Sequence, residues 1–150
     1  GGMMSELIKI YRENWKAAKH PGNGQVMLAF HMLCHTDRAR AENIARDPLN
    51  RYLKSLVDGA SHWLSGSNSN DYPGYDKIIA SLDAETFETQ VEKGAAWVGE
   101  PSAIIESIKR YEEVVGGFEI ASLQVNFNTV SVGDAETSMR LFAEEVMVNI

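Results

Sequence analysis

Two histidines, one cysteine and three side-chain amides are the residues of this chain whose types and spacing bear on chemistry. His31 and His35 lie four apart in a nearly continuous apolar run. On an extended strand that spacing puts them on one face, roughly 13 Å apart, too far to share a metal ion. One packed histidine and one at the strand end is the expected arrangement. His35 then sits at the C-terminal edge of a parallel sheet, where α/β proteins bind ligands, and its imidazole could donate to a ligand oxygen. Gln124, Asn126 and Asn128 alternate with period two, which places three amides on one side of a strand. They suit a polar pocket lining and hydrogen bonding to neighbouring strands equally. Glu100, before Pro101, is expected to cap a helix. Gly99 permits a tight strand-to-helix turn and could let amides approach an anion. Cys34 reads as a buried, inert thiol. A single cysteine excludes an intrachain disulfide and a cysteine-based zinc site. No metal is implied, and catalytic residues are not assigned.

The elements that must position these groups follow from periodicity and punctuation. Residues 5–19 read as a helix with Ser5 as cap and Leu7, Ile8, Tyr11, Trp15 and Ala18 on one face. His20-Pro21-Gly22 ends it. Residues 26–35 read as a strand buried on both faces. Thr36-Asp37 caps a helix to about Arg46, and Pro48 starts another to about Leu64, with Leu49, Tyr52, Leu53, Leu56 and Val57 as its stripe. His62 and Trp63 are expected to pack that helix onto the body. Residues 65–74 form a Ser/Asn/Gly loop, taken as an insertion. Two short helices (75–82, 84–93) lead to a strand at 96–98. A helix after Pro101 buries Ile104, Ile105, Ile108, Tyr111 and Val115 and stops at Gly116-Gly117. A strand follows at 119–127, then a helix from Asp134 with Met139, Phe142 and Val146 inward. The fold class is α/β, helix-rich, with three to four parallel strands. So thin a sheet leaves edges and helix faces uncovered, which predicts a homo-oligomer.

At 150 residues, 44% hydrophobic and 23% charged, the composition is that of one globular domain. Residues 5–150 are taken as that domain, and 1–4, which open with Gly-Gly, as a tag remnant or disordered start. A net charge of −7 argues against nucleic acid as a partner. No apolar run approaches the ~18 residues of a membrane span, and no signal-peptide pattern appears. A cytoplasmic location is expected. Walker, Gly-x-Gly-x-x-Gly, His-Glu-x-x-His and Gly-x-Ser-x-Gly motifs are absent.

Several segments, in order, resemble bacterial luciferase-like flavin monooxygenases. Trp97-Val-Gly-Glu-Pro-Ser-Ala-Ile-Ile resembles the turn before that family's penultimate helix. Leu123-Gln-Val-Asn-Phe127 is similar to its last barrel strand, and Ser138-Met-Arg-Leu-Phe-Ala-Glu-Glu-Val-Met147 to its C-terminal helix. Tyr11-Arg-Glu-Asn-Trp15, the strand from Val26 and Asp47-Pro48-Leu-Asn-Arg-Tyr-Leu53 resemble it too. The subgroup is the one associated with polyketide and peptide synthetase clusters. The resemblance implies a partial TIM barrel made of C-terminal βα units, FMN as cofactor and a small-molecule substrate. It makes His35, Gln124, Asn126 and Asn128 the cofactor- or substrate-facing candidates. The family's phosphate-gripping segment precedes the part matched, so the chain reads as a fragment or truncated form, inactive alone. A non-catalytic oligomeric binding relic, and a subunit completing a barrel with a separate partner, are the alternatives. The family's glycine after Asn-Phe is replaced here by Asn128.

Overall fold

A computed structural model describes residues 2–66 and 74–150, the side chains of 62–66, 75 and 76 excepted. The centre of the predicted 65–74 loop and the packing expected of His62 and Trp63 lie outside the described residues. Helix α1 (Gly2–Ala17) begins three residues ahead of Ser5. Strand β1 (Met27–Cys34) precedes the long α2 (Arg38–Gly66), then α3 (Tyr75–Asp83) and α4 (Phe87–Glu92). Strand β2 (Ala96–Gly99), α5 (Pro101–Val115), β3 (Ile120–Gln124) and α6 (Val132–Leu141) complete the order. A π-helical turn, Phe142–Val146, extends α6. No helix among the described residues is long and apolar enough to cross a membrane.

The three strands are parallel in the order β2-β1-β3. Alternation along β1 divides the core in two. On one side Phe30, Met32 and Trp97 pack with Ile104, Ile108 and Val115 of α5 and with Phe142 and Val146. On the other, Leu33 and Ala96 pack with Ala41, Ala45, Leu49 and Leu53 of α2 and with Phe87. Helices therefore cover both faces, as a buried parallel sheet requires. In a (β/α)8 barrel each strand pairs with the next and the helices form an outer ring. Here the first strand is central and the sheet is open. The α/β class and parallel strands are as expected; the described residues do not close a barrel.

The neighbours of β1 are staggered. Met27 to His31 pair with Ile120 to Gln124, and His31 to Cys34 pair with Ala96 to Gly99. His31 alone is paired on both sides. Beyond it, on the β3 side, the backbone of β1 has no strand partner. The Cys34 N–H finds one in a helix side chain: it donates to Ser138 Oγ at 2.8 Å. Ser138, 1% exposed, is thus part of the inward face of α6 with Ala135, whereas Met139, expected there, is 44% exposed. Replacing Ser138 with alanine leaves a buried amide unpaired. The expected cost is about 1–3 kcal/mol, read as a lower urea midpoint with unchanged slope.

The break predicted at Pro48 does not occur, and α2 runs through it. A proline inside a helix costs about 3 kcal/mol, through the lost bond to the carbonyl four residues earlier and a ring clash. Ala41, Ala45, Leu49 and Leu53 form an unbroken i,i+4 stripe, each at most 5% exposed. Burying the two leucines alone returns about 3–6 kcal/mol, so packing overrides the local signal. The expected Asp37 cap is present, with Arg40 N donating to Asp37 Oδ1 at 3.1 Å. Helix α5 stops at Gly116, whose φ of 81° belongs to the left-handed region that glycine enters without strain.

Candidate functional site

The polar candidates fall at two levels of the sheet: Gln124 opposite His31 where β3 ends, and His35 four residues further on, just past the end of β1. His35 lies one residue past β1, half-buried. Its backbone N donates to Gly99 O at 3.0 Å, prolonging the β1–β2 ladder. Its Nδ1 accepts from Asp37 N at 2.9 Å. An imidazole nitrogen that accepts is unprotonated, so the proton of the neutral ring sits on Nε2. His35 is thus fixed in place with one donor left for a ligand.

Gln124 is the last residue of β3 and lies opposite His31. The strand expected to reach Phe127 stops there. Asn126 and Asn128 are exposed in the turn that follows, so the three amides do not line one strand face. Phe127 turns inward, 5% exposed, and Asn128 takes a φ of 51°, a conformation asparagine tolerates better than most residues. With β1 paired only to β2 beyond His31, nothing continues the alternation on the β3 side.

What the structure brings to Gln124 instead is His31, which spacing alone marked as a packed histidine. It is packed, at 8% exposed, with its ring edge-on to Tyr52 (4.6 Å between centroids) and Phe127 (5.0 Å). Its Nε2 is nevertheless buried with no hydrogen-bond partner. Burial pushes its pKa down to about 4, so the ring is neutral at pH 7. A neutral imidazole between two aromatic edges, with a free nitrogen and an amide on the adjoining strand, can exchange one hydrogen bond with a ligand oxygen or a water. Sequence could not expose the orphaned atom, because Tyr52 and Phe127 approach it from opposite ends of the chain.

The remaining candidates are more inert. Cys34 is 1% exposed, and burial, reinforced by the charge of Glu145, raises its thiol to about 11. It is a thiol at neutral pH and a poor nucleophile. Glu100 occupies the cap position of α5 but its side chain makes no cap hydrogen bond, contrary to expectation. Its contribution there is charge at the positive end of the helix. No group of three or more His, Cys, Asp or Glu side chains among the described residues is placed to hold a metal ion.

These features define a class: a parallel α/β unit covered on both faces, with polar groups collected at the C-terminal edge of its sheet. A solved structure that it resembles is the crystal structure of the monooxygenase RslO1 from Streptomyces bottropensis, with a TM-score of 0.65 and 20% identity. The match covers 97% of this chain and 37% of that chain, so this chain spans little more than a third of that monooxygenase. At such identity the likeness is one of fold. No family model and no curated protein sequence matches the chain.

FMN, the cofactor implied by the luciferase-like resemblance, has a planar ring system and a phosphate. Gln124 and His31, side by side in the sheet, carry polar groups of the kind a planar ring's edge would meet; His35 lies roughly 13 Å further along the strand. The phosphate is less well served. Of the arginines that follow the sheet edge on α2, Arg38 is bound to Glu42 at 2.8 Å and Arg46 to Glu42 and Glu88, while Arg40 is exposed. The described residues therefore offer a phosphate one exposed arginine, Arg40, and no built site.

Proposed function

We propose that this chain is part of a flavin-dependent, luciferase-like monooxygenase and forms one wall of its ligand pocket. The observation that carries the reading is the orphaned Nε2 of His31 beside Gln124, the residue that ends β3. The fold-level likeness to a monooxygenase supports it. On this reading His35 Nε2 and the Gln124 amide orient a planar, oxygen-bearing ligand, and His31 supplies one hydrogen bond in a dry, aromatic setting where such bonds are strong. Phosphate grip and most of the enclosing barrel come from elsewhere, so no turnover is expected of this chain alone.

Fluorescence titration with riboflavin and FMN in parallel tests it. Both are expected to bind weakly, with dissociation constants of about 0.1–1 mM that agree within about twofold, because the phosphate finds no built site. Gln124→Ala should weaken both equally. FMN binding tenfold tighter than riboflavin, or neither binding at millimolar concentration, sinks the reading.

A further inference from the structure

The orphaned Nε2 of His31 is buried, so a ligand can bond to it only after something moves. Two rings close edge-on over the imidazole, Tyr52 and Phe127. They are held differently. Tyr52 stands within α2 between Leu49 and Leu53, which are 0% and 5% exposed and pack that helix on the sheet. Its backbone cannot shift without emptying that stripe. Phe127 belongs to the turn 125–130, between Gln124 at the end of β3 and Ser131, the cap of α6. On that side β1 has no strand beside it beyond His31. Asn126, Asn128 and Thr129 are exposed, and Asn128 turns the chain back through a left-handed φ of 51°. What seats the turn at this point is the buried Phe127 ring and a bond from Val130 N to Phe127 O at 3.2 Å. Phe127 is therefore the cover that can move.

The closed arrangement carries its own cost. A buried nitrogen without a partner forfeits the hydrogen bond that water gives it in any open state. Unseating Phe127 restores that bond, so the turn opens more readily than its apolar contacts alone would allow. The space it leaves is that of an aromatic ring, bounded by Tyr52 and His31, with Gln124 beside His31 in the sheet.

We propose that Phe127 is an autoinhibitory plug: in the free chain its ring holds the place against His31 that a planar ligand ring takes when bound, and the turn 125–130 swings aside to admit that ligand. That the ring is a flavin's rests on the proposed function; the plug does not. A ligand that must first displace Phe127 binds only the open fraction of the chain, and its apparent affinity is reduced by that fraction.

Amide hydrogen exchange followed by NMR at pH 7 tests the plug without a ligand. The reporter is the Val130 N–H, bonded to Phe127 O. The reference is the Cys34 N–H, bonded to Ser138 in the core. Corrected for intrinsic rates, Val130 should exchange about tenfold or more faster than Cys34, through an opening that leaves the core folded. His31→Phe has no nitrogen to hydrate and should slow Val130 by about tenfold. Saturating riboflavin should speed Val130, because the bound ring keeps Phe127 out. Phe127→Ala should bind riboflavin about tenfold more tightly than the wild type. The exchange results come from chains that keep Phe127, so they decide the matter even if the alanine variant does not fold. Val130 exchanging only together with Cys34, Val130 indifferent to His31→Phe, riboflavin bound with Val130 unchanged or slowed, or a folded alanine variant that binds no tighter overturns the plug. Riboflavin failing to bind either chain, with the first two exchange results as expected, sinks the flavin reading and leaves the plug standing.

Discussion

Trp97→Ala removes about 3–5 kcal/mol of stability, the cost of emptying a large buried aromatic site. Trp97 is 2% exposed. Its ring stacks on Phe30 with centroids 4.0 Å apart and planes 17° from parallel. Phe30 in turn meets Tyr111 of α5 edge-on at 5.2 Å. The indole Nε1 donates to Gly94 O at 3.2 Å, which ties the turn before β2 to the core. β2 has only four residues, and Trp97 is the one that anchors it to the α5 side. A domain of this size has about 5–15 kcal/mol in all, so the variant should be partly unfolded at 37 °C. Trp97→Phe keeps an aromatic face on Phe30 and should lose less than half as much. Urea unfolding gives both values. A loss below about 1.5 kcal/mol for the alanine variant would mean that β2 is held by its backbone ladder alone.

Acid is expected to destabilise the fold through His31. Its folded pKa of about 4 lies below its ordinary 6.5 because burial disfavours the imidazolium. Between those values the unfolded chain takes up a proton that the folded chain refuses. The stability at stake is fully present above about pH 7, is lost as pH falls through 6.5, and is gone near pH 4. The whole gap corresponds to about 3 kcal/mol, of which about 2 kcal/mol or more is lost by pH 4.5. His31→Phe fits between Tyr52 and Phe127 without a polar atom. It should match the wild type or exceed it at pH 7 and unfold about 2 kcal/mol later at pH 4.5. Because the other histidines are common to both chains, the difference between the two profiles isolates His31. Parallel profiles would show that the ring gains a proton without opening the core.

The elements best legible in the sequence were those with local causes. Pro101 and Gly116 bracket α5 to the residue, because a ring-locked φ and a left-handed cap act within one turn. The apolar run of β1, entered through Gly22 and Gly24, was a strand as read, since its length and flanks favoured one over a helix. What stayed hidden depends on partners far along the chain. Pro48 signalled a break that only the sheet beneath Leu49 and Leu53 could cancel. Gln124, Asn126 and Asn128 kept their period on paper, but β3 ends at Gln124, opposite His31, while β1 runs on to Cys34 without it. Ser138 has no local signal at all; its role exists because Cys34 lacks a strand neighbour. The apolar face of α1 was legible from spacing, but of its residues only Ile8 is buried, because the body meets one side of the helix. At the site, the edge position of His35 was legible from topology, and the unpartnered nitrogen of His31 was not.

The stagger of the sheet bears on how the chain acquires it. β1 has no hairpin neighbour: Met27 waits for Ile120 and His31 for Ala96. A long loop must close before either ladder gains its first bond. During synthesis β1 emerges first among the strands. At about 5–20 residues per second, roughly 3–13 seconds pass before β2 is made. Through that interval an eight-residue strand with no Asp, Glu, Lys or Arg has both edges open. Helix α2, complete well before β2 and carrying the stripe that fits one face of β1, is the first element able to shelter it. Early docking of α2 on β1 is therefore a safeguard against aggregation on the ribosome as much as a step toward the finished core.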